Sequence, residues 1–257
     1  MPPRVLFEAG ERAAEETRAA PAAGQLVALD ERRSHHLVRV LRLAAGAAVE
    51  AFDGRGGAFA AEIDTADPRR CLLRLGEPIA RAVESPLRIT LAQCLSTADR
   101  MDWTIEKAVE LGANAIVPLS SVRSQVRLDA PRAARKLEHW RHIIESACTQ
   151  SGRALLPALS PLQPLRDFVA AASDEAAEPA RRLVLDPDAR MPLSLSSVAR
   201  GVPLVLLVGP ESGLSAEEFR AARHAGFEPV ALGPRILRTE TAGLAAIAAL
   251  QTLAGDF

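Results

Sequence analysis

Long apolar runs are missing from this chain. No stretch approaches the roughly 20 residues that a membrane-spanning helix needs, and the opening MPPRVLFEAG lacks the apolar core of a secretory leader. Cysteine is scarce as well. Cys71, Cys94 and Cys148 are odd in number and far apart. That spacing argues against a disulfide framework or a zinc knuckle and predicts reduced thiols in a cytoplasm. Lysine is scarcer still: only Lys107 and Lys136 stand among 31 basic residues. The basic complement is therefore arginine, a usage that by itself identifies no ligand. Net charge is close to neutral at −1. No internal repeat is found. His139 and His142 lie three apart on an expected helix, but no carboxylate or cysteine shares their face, so no metal site is predicted.

What is present is a soluble globular pattern: 48% apolar residues over 257 positions, enough for one or two domains with a core. Charge is unevenly spread. Residues 87–153 hold ten basic and seven acidic side chains, whereas both flanks are net acidic. A basic cluster inside a neutral protein suits a nucleic-acid surface without proving one.

Residues 1–80 read as a small β-rich domain. Strands are expected at Arg4 to Phe7, Leu26 to Leu29, Val49 to Phe52, Phe59 to Ile63 and Cys71 to Leu75. Asp53-Gly54 is a hairpin signal, and several short strands with turn punctuation suggest a barrel. Glu8 to Gly24 reads as a surface loop or short helix. Ser34 is expected to cap a helix from His35 to Leu41. Pro78 to Pro86 reads as a linker. From residue 81 onward strands and helices alternate, which predicts an α/β domain with a mostly parallel sheet. Its strands are Leu87 to Cys94, Ala115 to Leu119, Leu183 to Leu185, Pro203 to Val208 and Glu228 to Leu232. Asp99 is expected to cap one helix, Pro131 to start another, and Ala170 to Arg182 to form a connector.

The stretch Pro203 to Leu253 organises the domain. An apolar strand runs into Gly209-Pro210-Glu211-Ser212-Gly213, and Ser215 with Glu218 forms a capping box that opens a helix. A second strand runs into Gly233-Pro234, followed by an irregular loop and a buried helix from about Thr241 to Ala254. Loops at the C-terminal ends of parallel strands are where ligands bind in such sheets. The first turn is not a dinucleotide fingerprint, because it lacks a glycine pair separated by one residue. No Lys-Ser/Thr follows, so it is not a phosphate-binding P-loop. Ser212 is flanked at two residues by Pro210 and Leu214, so it is not a nucleophile elbow.

Many segments, taken in order, give a resemblance. They are His35-His36-Leu37-Val38-Arg39-Val40-Leu41-Arg42, Phe52-Asp53-Gly54-Arg55-Gly56, Asp99-Arg100-Met101-Asp102-Trp103 and Lys107-Ala108-Val109-Glu110-Leu111-Gly112. Ile116-Val117-Pro118-Leu119, Arg123 and Glu145 to Arg153 follow. The sharpest are Gly209-Pro210-Glu211 and Leu232-Gly233-Pro234-Arg235-Ile236-Leu237-Arg238-Thr239-Glu240-Thr241-Ala242. Over nearly its whole length the chain resembles the RsmE family of 16S ribosomal RNA uridine-N3 methyltransferases, of the SPOUT class. Two places differ from the family pattern. Ser212-Gly213 stands where paired glycines are usual, and Thr97-Ala98 where a lysine-glycine pair is usual.

The resemblance implies a PUA-like β-barrel over residues 1–80. It also implies a SPOUT methyltransferase domain over 81–257, with a trefoil knot at about 203–253. It implies a cytoplasmic homodimer that binds S-adenosylmethionine and 16S ribosomal RNA in the small ribosomal subunit, and the missing apolar runs predict no membrane partner. The cofactor would be held by Leu185, Leu207, Val208, Gly209, Pro210, Glu211, Leu232, Gly233, Ile236, Leu237, Arg238 and Thr241. Uridine N3 carries a proton and is a poor nucleophile. Arg123, Arg153 and Arg238 are candidates to stabilise its anion, since a planar guanidinium can face two acceptors, and Glu240 is a candidate base or orienting partner. Arg4, Arg39, Arg42, Arg55 and Arg100 are candidate RNA contacts. The rival readings are an RNA-binding assembly protein without catalysis and a ribose 2′-O-methyltransferase.

Overall fold

The computed structural model describes residues 2–7, 21–80, 82–174, 179–198 and 201–257. Most of the expected loop or helix from Glu8 to Gly24 lies outside them. The described residues divide into two compact units, Met1–Glu84 with Cys148–Leu156, and Ser85–Ala147 with Pro157–Phe257.

The first unit contains β1 (Arg4–Leu6), β2 (Leu26–Ala28), α1 (Glu31–His35), β3 (Ala48–Phe52), β4 (Ala58–Thr65) and β5 (Leu72–Pro78). The strands form one sheet in the order β1-β3-β4-β5-β2. Asp53 builds the β3–β4 connection: its carboxylate accepts from the amides of Arg55 and Gly57, each at 2.8 Å. Phe7, Leu37, Ala51, Ile63, Leu73 and Leu75 fill the core. The expected Ser34 cap is corrected here. Asp30 caps α1, accepting from the amide of Arg33 at 2.7 Å. Ser34 is buried, and its hydroxyl accepts from the amide of Cys71 at 2.8 Å. The chain then continues as a π-helical turn, His36–Val40.

The second unit contains β6 (Ile89–Cys94), α2 (Ala98–Glu110), β7 (Ala115–Ser120), α3 (Ala130–Ser151), β8 (Ala158–Leu159) and β9 (Gln163–Pro164). These are followed by α4 (Leu165–Ala172), β10 (Arg181–Leu185), β11 (Leu204–Val208), α5 (Ala216–His224), β12 (Glu228–Val230) and α6 (Thr239–Ala254). The sheet order is β12-β10-β11-β6-β7-β8, with β9 also on β7, and every pairing is parallel. Successive strand residues point to opposite faces. Leu91, Leu183, Leu206 and Val208 accordingly pack with Leu244, Ile247 and Leu250 of α6. Ala92, Val184 and Leu207 pack with Val169 of α4 and Ala222 of α5. The parallel α/β architecture agrees with the expectation. α4 falls partly within the expected connector from Ala170. Thr97, not Asp99, is the N-cap of α2, and α6 begins at Thr239, two residues early.

The boundary between the units also differs from 80/81. Residues Cys148–Leu156, expected in the second domain, belong to the first. Arg4 supplies one physical reason. Its Nη1 donates to the carbonyls of Cys148 at 2.6 Å and Thr149 at 3.0 Å, and Nη2 donates to that of Arg153 at 3.2 Å. Its Nε meets Glu50 at 2.8 Å, and the guanidinium lies 4.8 Å from the centre of the Phe52 ring. Arg4 was expected to contact RNA, but its side chain is only 5% exposed. It is an interior clamp, because a guanidinium can satisfy several acceptors at once. Removing one partner of a buried ion pair costs about 3–5 kcal/mol. Arg4→Ala is therefore expected to lower urea stability by that amount, and a loss below about 1 kcal/mol, typical of surface pairs, would contradict the interior role.

Candidate active site

Parallel pairing brings the C-terminal ends of β10, β11, β12, β6 and β7 to one edge of the sheet. The loops released there enclose a cavity of about 840 Å³. Asp186, Pro187 and Asp188 enter after β10, Gly209 to Glu211 after β11, and Leu232 to Arg238 after β12. Arg100 enters from α2 and Arg123 from the loop after β7.

Glycine is favoured at two of these bends for different reasons. A Cβ on Gly209 would stand 3.2 Å from Leu214 Cγ and 3.3 Å from its amide nitrogen, tighter than packing normally allows. Gly233 has open space around it but a φ of +76°, a conformation that side chains disfavour.

The Gly209 bend is tied to the start of α6 from below. The Thr239 hydroxyl donates to the Gly209 carbonyl at 2.6 Å and accepts from Gln93 Nε2 at 2.9 Å. Gln93 is 1% exposed in the otherwise apolar strand β6, and Nε2 also donates to the Cys94 carbonyl at 3.1 Å. The start of α6 is thereby fastened to the end of β11 in a buried setting, where hydrogen bonds are hard to replace.

Charge is concentrated on one wall. Arg100 lies between two carboxylates, with Nη1 3.8 Å from Glu211 Oε1 and Nε 3.4 Å from Glu240 Oε1. The Thr97 amide also donates to Glu211 Oε1 at 3.4 Å. The second oxygen of each carboxylate is buried and has no partner among the described residues. A buried, unpaired carboxylate oxygen is costly unless a donor reaches it. A bound molecule with N–H or ammonium groups would supply that donor.

Of the residues singled out from sequence, Leu185, Val208, Gly209, Pro210, Glu211, Leu232, Gly233, Ile236, Leu237 and Arg238 line this cavity, as do Arg100 and Arg123. Ile236 does so at the rim, 85% exposed. Leu207 does not line it. It is one residue out of phase with Val208 and packs under α5 on the opposite face. Thr241 is exposed on α6 and is not part of the lining. Glu240 reaches the site through Arg100. Arg153 is not in the lining. It is 2% exposed and pairs with Glu84, Nη2 to Oε2 at 2.8 Å, within the first unit. That pairing makes it an internal brace. Arg39, Arg42 and Arg55 are exposed on the first unit.

Sequence reasoning missed Gln93, Thr239, Asp186 and Asp188. A glutamine within the apolar strand ITLAQC was a readable signal for the first. Asp186 and Asp188 simply follow the expected strand Leu183 to Leu185, with no local pattern that marks them. His139 and Trp140 both bond Asp102, at 2.8 Å each, which accounts for that histidine structurally.

Thr239→Val removes the donor to Gly209 and the acceptor for Gln93 while conserving shape. It is expected to cost about 1–3 kcal/mol, the penalty for stranding buried polar groups. Equilibrium urea unfolding measures it, and unchanged stability would show that the tie carries no weight.

Comparison with known proteins agrees with this geometry. The model of an RNA methyltransferase domain matches residues 83–251, and that of an RNA methyltransferase PUA domain matches residues 29–76. A ribosomal RNA small subunit methyltransferase E of Buchnera aphidicola is 30% identical over 91% of this chain and 90% of its own. A crystal structure of the Neisseria gonorrhoeae protein of that name, bound to S-adenosyl methionine, is 36% identical. It superposes with a TM-score of 0.86 over 100% of both chains. A Legionella pneumophila methyltransferase with bound cofactor SAM is 32% identical, with the same TM-score and coverage. The expected combination of a PUA-like domain and a SPOUT-type parallel sheet is consistent with these matches. The chain belongs to the ribosomal RNA small subunit methyltransferase E family.

Proposed function

We propose that this protein transfers a methyl group from S-adenosylmethionine to N3 of a uridine in 16S ribosomal RNA. The observation that carries this reading is the convergence on one cavity of two glycine bends, four arginines and two partly unpaired carboxylates, Glu211 in the lining and Glu240 behind Arg100. The cavity residues fit the donor. Main-chain groups at Gly209 and Gly233 can approach an adenine edge closely, and Leu185, Leu232 and Leu237 supply apolar walls. The free Glu211 Oε2 suits an ammonium, and Asp186 and Asp188 suit ribose hydroxyls.

When bound, the donor supplies an electrophilic methyl group on a sulfonium. The chain positions the uracil and manages charge. Glu240, which reaches the cavity through Arg100, serves as the base for the N3 proton while Arg100 orients its carboxylate. Arg123 and Arg238 face the uracil carbonyl oxygens as negative charge spreads onto them. Nitrogen then bonds the methyl carbon as the carbon–sulfur bond breaks. A base within folded RNA must leave its stack to reach this cavity. Arg39, Arg42 and Arg55 provide exposed cations for the RNA backbone. On the same reading the protein acts as a cytoplasmic homodimer, and residues 203–253 form the knot implied by the resemblance. Among the described residues, no helix is long and apolar enough to cross a membrane.

Nucleoside mass spectrometry of 16S RNA from cells lacking the protein should show loss of 3-methyluridine. Loss of a 2′-O-methyl nucleoside instead would reject base methylation. Glu240→Gln should slow single-turnover methyl transfer by about 10²–10⁴-fold, the usual range for a general base. Retention of the full rate would remove Glu240 from the chemistry.

A further inference from the structure

Glu218 lies on α5, outside the lining of the 840 Å³ cavity. Its carboxylate nevertheless gathers three donors from two separate loops. Oε1 accepts from the Val122 amide at 2.9 Å. Oε2 accepts from the Ser121 hydroxyl at 3.0 Å and the Ser215 amide at 2.9 Å. The Ser215 hydroxyl accepts in return from the Glu218 amide at 3.1 Å. A capping box needs only the Ser215 half of this arrangement. The Ser121 and Val122 bonds reach 97 and 96 residues back along the chain, respectively.

Those two residues immediately precede Arg123. The Ser121 hydroxyl also accepts from the Arg123 amide at 3.2 Å. Further along the seam, Arg123 Nη1 donates to the carbonyls of Ser212 at 3.4 Å and Leu214 at 3.3 Å. The Ser212 hydroxyl donates to the Arg123 carbonyl at 2.9 Å. A glycine at position 212, usual in relatives by the resemblance, has no hydroxyl to make this bond. Nε and Nη2 of Arg123 have no partner among the described residues and remain free to meet a ligand.

We infer that Glu218 is a positioning residue for methyl transfer: it buckles the loop after β7 to the start of α5, and Ser212 completes the seam, so that Arg123 is held over the cavity. This rests on the proposed reading in which Arg123 faces the target base. Exposed arginines lose considerable side-chain freedom when fixed. A backbone already anchored on both sides reduces what remains to be ordered on binding. The electrostatics agree. Burial pushes the Glu218 carboxyl up, but the Ser215, Val122 and Ser121 donors outweigh it and hold the group below its ordinary range. The stabilisation from this lowered value is therefore present above the unfolded carboxylate range and is lost as pH falls through the folded value.

The test is a double-mutant cycle on the full-length protein with 16S RNA and S-adenosylmethionine. Glutamine has one acceptor oxygen and an amide that donates, so Glu218→Gln cannot serve both Val122 and Ser215. It should lower kcat/KM by about tenfold or more, the scale of an ångström-level misplacement. In an Arg123→Ala background the same change should alter kcat/KM by less than about twofold, because the two residues act as a unit. Thermal unfolding followed from about pH 6 to about pH 3 should lose part of its acid limb in Glu218→Gln. Ser212→Gly, at an exposed position that does not threaten folding, should lower kcat/KM in the same direction and show the same dependence on Arg123. Equal losses with and without Arg123 would overturn the positioning role in an otherwise active enzyme. Full activity of Arg123→Ala would overturn it too. Absence of methyl transfer by the unmodified protein would instead defeat the proposed function itself.

Discussion

The buried hydroxyl of Thr239 is the point on which the site depends. It joins the carbonyl of Gly209, at the end of one central strand, to the side chain of Gln93 in the neighbouring strand. Thr239 is also the first residue of α6, whose apolar body fills one face of the sheet. A single oxygen therefore sets where the last helix begins relative to the Gly209 bend and to β6. Gly243 shows how closely the helix approaches: a Cβ there would meet Leu91, Gln93 and Val208 at 3.2–3.3 Å. Helix, strand and bend cannot shift independently.

A second constraint acts along the rim. Loops at the ends of parallel strands are connected to the core only through their stems, so their tips require local bonds. Here Glu218 and Ser212 stitch the loop carrying Arg123 to the loop carrying Glu211, while Arg100 stands between Glu211 and Glu240. The cavity thus combines a rigid floor, an anchored cation and two carboxylate oxygens still lacking donors. Preorganised charge of this kind is effective because little reorganisation is needed when a reacting group arrives.

Much of this was legible in the sequence where a local rule applied. The Ser215–Glu218 capping box, the Asp53-Gly54 hairpin and the alternation of strands and helices all appear as expected. The strand-end glycines correctly marked the cavity. Some of what failed depended on contacts distant in sequence, and some on local phase or competition. Arg4 looked like a surface cation but clamps carbonyls 144 or more residues away. Arg153 looked like a catalytic cation but pairs with Glu84. Leu207 failed through strand phase, since adjacent residues face opposite layers. Ser34 had the right chemistry for a cap, yet Asp30 occupied the position and Ser34 turned inward. The additional reach of Glu218 to Ser121 and Val122 left no pattern within a single segment.

The central claim is that two main-chain bends hold the methyl donor. A crystal of this protein grown with S-adenosylmethionine tests it most directly. Adenine density is expected between Gly209 and Gly233, with the ammonium within hydrogen-bond reach of Glu211. Density for the donor outside the cavity lined by those residues would contradict it.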